Sequence, residues 1–299
     1  MNKVLIAVMG LLVFVLSGCR PGSVKTGSFL PEDSQAGLIA LTRLTDGYWQ
    51  IWTMKPDGSE ARQVTDSASD KRYPSWSADG QRVFFRNSDN QAWSVNLSDG
   101  SQERVFPSLG MTSGVVPSPD GSTFVMMRYR RQLTDSGGIW LVGQDGLDTK
   151  LLTSSSGIQY DPFWSPDGKW IVYISSHGYM TDEVCIMEVS SKEERKLTNN
   201  SNMEFLPTIS PDGRTIAYVS DVTGDYEIWL MNVDGSDERP LTKSAGIDTR
   251  PFWSPDGSKI VFVSNRSGSL QLWLMDVDGS HQRQLTDDSP SMDPAWKGY

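Results

Sequence analysis

The sequence predicts an all-β fold, a six-bladed β-propeller with four antiparallel strands per blade, and three observations carry that prediction. A motif ending in Asp-Gly recurs with its Asp at 79, 120, 167, 212 and 256, so successive copies lie 41, 47, 45 and 44 residues apart. After each copy come short β-rich runs divided by turn residues, with no helical period between them. The two ends of the chain are incomplete in complementary ways. A period in the forties is typical of a four-stranded blade.

Taken in chain order, the first element is an address. Lys3 supplies a positive start and Val4 to Leu16 is a run of apolar residues and one Gly, 13 residues long. That is too short to span a bilayer comfortably and suits the apolar region of a signal peptide over residues 1–18. The run ends in Leu16-Ser17-Gly18-Cys19, which resembles the bacterial lipobox. By that resemblance Cys19 is the lipidation site and the mature N-terminus, an anchor in the membrane. Arg20 stands where an Asp would signal inner-membrane retention, which favours the outer membrane in a two-membrane bacterium. Residues 19–36, rich in Gly, Pro and Ser, read as a flexible tether of roughly 20–25 Å.

Residues 37–299 then carry the repeat. Its copies begin Tyr73-Pro74-Ser75-Trp76-Ser77-Ala78-Asp79-Gly80, Val116 to Gly121, Asp161 to Gly168, Leu206 to Gly213 and Arg250 to Gly257. Strand A precedes the Asp-Gly turn and strand B follows it, as in Lys259 to Val263. Strand C is apolar on consecutive residues, as in Ile228-Trp229-Leu230-Met231, because a blade between two neighbours is buried on both faces. A second turn, Asp234-Gly235-Ser236 for example, leads to a short strand D ending in Leu-Thr. Gly at the turn accepts positive φ, so the Asp residues of these turns serve backbone geometry and not calcium. Ser118 is read in the place of the repeat's Trp, and Ser190-Ser191 replaces one Asp-Gly turn. Cys185 falls in the strand-C slot held by Trp52, Trp93, Trp140, Trp229 and Trp273, and reads as a small buried hydrophobe.

Gly37 to Thr65 supplies strands B, C and D without A, and Asp293-Pro294-Ala295-Trp296 supplies A alone. The last strand is therefore expected to complete the first blade and remove the free edges of an open ring.

The pattern P-x-W-S-P-D-G, then I-W-x-M-[DN]-x-D-G-S, then R-x-L-T resembles the PD40 or WD40-like repeats of TolB propellers and of the N-terminal propellers of dipeptidyl-peptidase IV relatives. The resemblance implies a binding propeller with protein partners at the cell envelope.

Composition excludes some functions. The net charge of −10 argues against nucleic acid, which needs clustered Lys and Arg. Two Cys and two His are too few for a zinc site, so no metal and no cofactor is expected. There is no G-x-S-x-G nucleophile elbow, and the catalytic residues are read as none.

In such a ring the D–A and B–C loops share one face with the ends of the inner strands. The candidate binding face comprises Arg72, Tyr73, Arg128, Arg130, Arg131, Tyr160, Asp161, His177, Phe205, Asp225, Arg250 and Asp293. Mixed charge with aromatics suits a binding surface. The function expected is a monomeric, non-catalytic, lipid-anchored scaffold that engages a protein or peptide. The alternative is a small-molecule or glycan-binding propeller, in its strongest form a carbohydrate-active enzyme.

Overall fold

The computed structural model describes residues 37–109, 111–129, 137–153, 157–176 and 182–298; none of them is helical. Cys19 and the tether, Arg130, Arg131 and His177 lie outside the described residues.

The strands run in chain order. β1 (Ile39–Thr45), β2 (Tyr48–Met54) and β3 (Arg62–Gln63) open the chain. β4 (Lys71–Trp76), β5 (Arg82–Asn87), β6 (Ala92–Asn96) and β7 (Gln102–Arg104) form a second sheet. Next come β8 (Val116–Pro117), β9 (Thr123–Tyr129), β10 (Gly137–Gly143) and β11 (Thr149–Leu151). They precede β12 (Ile158–Trp164), β13 (Trp170–Ser176), β14 (Asp182–Glu188) and β15 (Glu194–Lys196). β16 (Glu204–Ile209), β17 (Thr215–Ser220), β18 (Glu227–Asn232) and β19 (Arg239–Pro240) make another sheet. So do β20 (Asp248–Trp253), β21 (Lys259–Ser264), β22 (Gln271–Asp276) and β23 (Arg283–Gln284). β24 (Ser291–Trp296) pairs antiparallel with β1, giving the order β24-β1-β2-β3.

The expectation of six separate blades needs correction. Four sheets are discrete four-stranded units, whereas β8 to β15 form one sheet of eight strands. The joint is a parallel pairing of Gly137 with Ile158, between β10 and β12. The missing side chain eases the close pass: a Cβ on Gly137 would lie 2.7 Å from Met127 Cε and 3.3 Å from Ile158 Cγ2, so a larger residue would require the end of Met127 to shift.

The core lies between neighbouring sheets. Leu38, Ala40 and Ile51 of the first sheet pack on Trp76, Val83 and Phe85 of the second, and Ile39, Leu41 and Met54 pack on Val261, Val263 and Leu272. One sheet thus buries both faces, which is why its strands are apolar on consecutive positions. The inner strands β24, β4, β8, β12, β16 and β20 touch in turn around a closed cycle. Trp indoles bind them together. Trp76 Nε1 donates to Ala295 O at 2.9 Å, Trp164 Nε1 to Val116 O at 3.2 Å and Trp253 Nε1 to Thr208 O at 3.3 Å.

Ser118 is also reassigned. Its Oγ donates to Asp120 Oδ1 at 2.6 Å, the same bond that Ser77, Ser165, Ser210 and Ser254 make to Asp79, Asp167, Asp212 and Asp256. Ser118 is therefore the Ser of the turn, and Pro117 occupies the Trp position. Counting back four residues from the turn Ser, Gly114 stands level with Tyr73.

Candidate functional site

Five inner strands carry a non-glycine residue in the left-handed region directly before Pro. These are Tyr73 (φ 57°), Asp161 (50°), Leu206 (54°), Arg250 (55°) and Asp293 (52°). Each coincides with a break in register against the adjoining strand. Pro cannot donate to the ladder, so the strand bulges there and re-aims the preceding side chain. Left-handed φ at ordinary residues is strained and persists only where the surroundings hold it.

Those side chains meet across the ring. Asp293 Oδ2 accepts from Arg72 Nε at 2.7 Å and from Thr42 Oγ1 at 2.7 Å, with Tyr73 N–H at 3.4 Å. Arg250 Nη1 faces Asp293 Oδ1 at 2.6 Å, an ion pair not aligned as a hydrogen bond. Burial raises the Asp293 pKa, but Arg250 and Arg72 outweigh it and hold the carboxyl well below the usual carboxylate range. Tyr73 on β4 and Arg250 on β20 come from inner strands that are not neighbours, yet the Arg250 guanidinium lies 5.4 Å from the Tyr73 ring. Arg72 lies 5.4 Å from the same ring and 5.0 Å from that of Trp49.

Asp161 extends the cluster. Leu206 N–H donates to its Oδ2 at 3.3 Å. Its surface is half-buried but its carboxyl is enclosed, and that burial, only partly offset by Arg250, pushes its pKa up to about 6. Tyr160 donates its hydroxyl to Asp182, whose own pKa burial raises. Beside it Glu204 is 1% exposed, and burial pushes its pKa up to about 7 against the bonds from Asn200 and Ser220, with Glu183 adding like charge.

Other candidates fall elsewhere. Phe205 packs edge-on to Tyr226 with centroids 5.1 Å apart. Asp225 is exposed in the turn before β18. Arg128 lies over the Trp140 ring at 4.9 Å and donates to Leu109 O at 3.4 Å.

Sequence reading missed Thr42, Arg43, Trp49 and Arg86. Arg43 lies 4.9 Å from the Trp52 ring and donates to Ser291 Oγ at 3.2 Å, and Arg86 lies 4.7 Å from the Tyr73 ring. The available signal was their place at the far ends of strands β1, β2 and β5, next to the B–C turns.

Cys185 does fill the strand-C slot. It stands opposite Lys196 as Trp229 stands opposite Pro240, is 2% exposed, and burial pushes its thiol up to about 12. A thiol so raised is a poor nucleophile.

The fold and this cluster define a β-propeller whose inner strands deliver charged and aromatic side chains to one central place. Residues 134–297, just over half of the chain, match the family PD40, described as the TolB beta propeller domain, and the chain belongs to that family. It is 30% identical over 135 residues to the Tol-Pal system protein TolB of Anaeromyxobacter sp. (strain K), covering 43% of this chain and 30% of that protein. The chain thus spans about a third of the length of such curated relatives. The solved structure of putative TolB from Agrobacterium tumefaciens superposes with TM-score 0.74 at 26% identity, covering 86% of this chain and 91% of that one. TolB from Acinetobacter baumannii gives TM-score 0.75 at 21% identity, over 88% and 67%, a likeness of fold.

Proposed function

We propose that this protein is a non-catalytic scaffold of the bacterial cell envelope, held by a lipid on Cys19, that binds a protein or peptide through the central mouth of its propeller. The observation that carries the reading is the grouping of Arg72, Tyr73, Arg250 and Asp293. Two guanidiniums, a phenol ring and a carboxylate converge from β4, β20 and β24, and they hold one another in place through ion pairs and ring contacts. Preordered charged and aromatic groups suit recognition, since little freedom is lost on binding. Of the carboxylates at the cluster, Asp293 is committed to two arginines and Asp161 faces one of them. The membership in the TolB propeller family and the resemblance of Leu16-Ser17-Gly18-Cys19 to a lipobox after a signal-peptide-like run over residues 1–18 support an envelope setting.

Mild crosslinking in the native envelope followed by affinity capture tests the reading, with wild type beside Tyr73→Ala. A specific protein recovered with wild type and lost with the variant supports it, provided the variant unfolds normally. Recovery of nothing by either, with binding of an oligosaccharide by the purified chain, would replace it with the glycan-binding alternative. Anchoring has its own check. Cys19→Ser is expected to move the protein from the membrane to the soluble fraction and to abolish incorporation of labelled fatty acid.

A further inference from the structure

Arg86, next to last in β5, holds its guanidinium carbon 4.7 Å from the Tyr73 ring centroid, so three guanidiniums, those of Arg72, Arg86 and Arg250, share one phenol. Two of the three are answered by Asp293. Arg86 is not: its Nε is buried without a hydrogen-bond partner, and among the described residues no carboxylate pairs with it. A guanidinium carries five donors in a planar fork, shaped for two carboxylate oxygens. A buried Nε–H without a partner beside two further guanidiniums is unfavourable, and an incoming anion would satisfy it.

The setting is built to hold the ring in place. Tyr73 is fixed by its left-handed backbone before Pro74, and Ser75 Oγ donates to Val115 O at 2.6 Å. Gly114, level with Tyr73 on the next segment, leaves the space the ring root occupies: a Cβ there would lie 2.9 Å from Tyr73 Cβ. The phenol face holds the arginines by cation–π attraction without neutralising them.

We infer that Arg86, presented over Tyr73 beside Arg72 and Arg250, is a subsite for a carboxylate of the bound ligand, an acidic side chain where the ligand is a peptide. This rests on the reading of the mouth as the binding place. On a chain of net charge −10, such a subsite also selects for acidic partners against long-range repulsion, which makes their recognition specific to this point.

The test uses the full chain labelled with 15N-arginine, and follows the Arg86 Nε–H resonance, assigned by its loss in Arg86→Lys. Three probes are titrated at constant ionic strength: acetyl-Gly-Glu-Gly-amide, its Gln counterpart, and acetate. A saturable shift of the Arg86 resonance with the Glu peptide, at least about tenfold weaker with the Gln peptide, is the expected result. Saturation by acetate at the same concentration would assign the carboxylate to a free small anion, and saturation only by the peptide to an acidic segment; either supports the subsite. No shift with any probe, or equal shifts with the Glu and Gln peptides, overturns it. The titration needs no natural partner. Capture of a partner by both wild type and Arg86→Gln, with no shift in the titration, would therefore sink the subsite and leave the scaffold reading standing.

Discussion

At Asp293 two guanidiniums, a threonine hydroxyl and a backbone N–H surround a carboxylate only 5% exposed. Removing one partner of such a buried arrangement leaves the others uncompensated. Asp293→Asn is expected to lower stability by about 3–5 kcal/mol, read from the denaturant midpoint. Its depressed pKa fixes the sign with pH. The unfolded chain binds a proton more readily than the folded one, so the Asp293 contribution is present above the ordinary carboxylate range and is lost as pH falls through and below it. Glu204 has the opposite sense. Burial raises it to about 7, so the folded state holds a proton that the unfolded state has released, and stability falls as pH rises from about 4.5 towards 7. Glu204→Gln should flatten that slope and add about 1–3 kcal/mol at pH 8. Parallel slopes for variant and wild type between pH 5 and 7.5 would mean that Glu204 does not titrate there.

The repeated Thr after strand D, preceded by Leu in four copies and by Val64 in the first, works at the scale of the element. Thr65, Thr153, Thr198, Thr242 and Thr286 each accept a strand-C backbone N–H, from Ile51, Ile139, Val184, Ile228 and Leu272, at 2.9–3.1 Å. The same hydroxyls donate to Gln50, Gln159, Glu183, Glu227 and Gln271. Gln159 serves Thr153 from β12, whereas the other four acceptors lie on the strand C whose N–H the Thr takes. In that sheet Gly138 precedes Ile139 and has no side chain to offer. Thr242→Val keeps the shape but leaves a buried N–H and a carboxylate oxygen without their partner, and should cost about 1–3 kcal/mol. Thr242→Ser should recover most of that loss in the same unfolding measurement. Much at this scale was legible in the sequence, because turn Asp-Gly pairs, Leu-Thr ends and apolar strand C recur with fixed chemistry. The failures were local. Pro117 mimics the X-Pro step of its relatives and drew Ser118 into the wrong column. The close pass at Gly137 depends on Met127 and Ile158, which no spacing connects to it.

For the molecule as a whole, the join of β24 to β1 carries the most weight. Deleting residues 291–299 removes the inner partner of β1 together with Met292 and Trp296 from the core. The expected loss is about 5 kcal/mol or more, comparable with the net stability of a domain, and the truncated chain should be susceptible to protease at temperatures where the full chain resists. A thermal transition unmoved by the truncation would show that β24 contributes no closure. The central cluster was only half legible from sequence. Tyr73, Arg250 and Asp293 stand directly before Pro in the repeat, with Arg72 one residue further back, and the repeat columns point to them. Thr42, Trp49 and Arg86 reach the same place from other strands, so only three-dimensional closure reveals them. The join has a further consequence in time. Thr42 and Asp293 are 251 positions apart, so during synthesis at about 5–20 residues per second the inner edge of β1 waits on the order of ten seconds or more for its partner to emerge. Throughout that interval a nascent, unpaired strand is open to chaperones and to the edges of other chains. The emergence of β24 therefore decides when that edge ceases to be vulnerable.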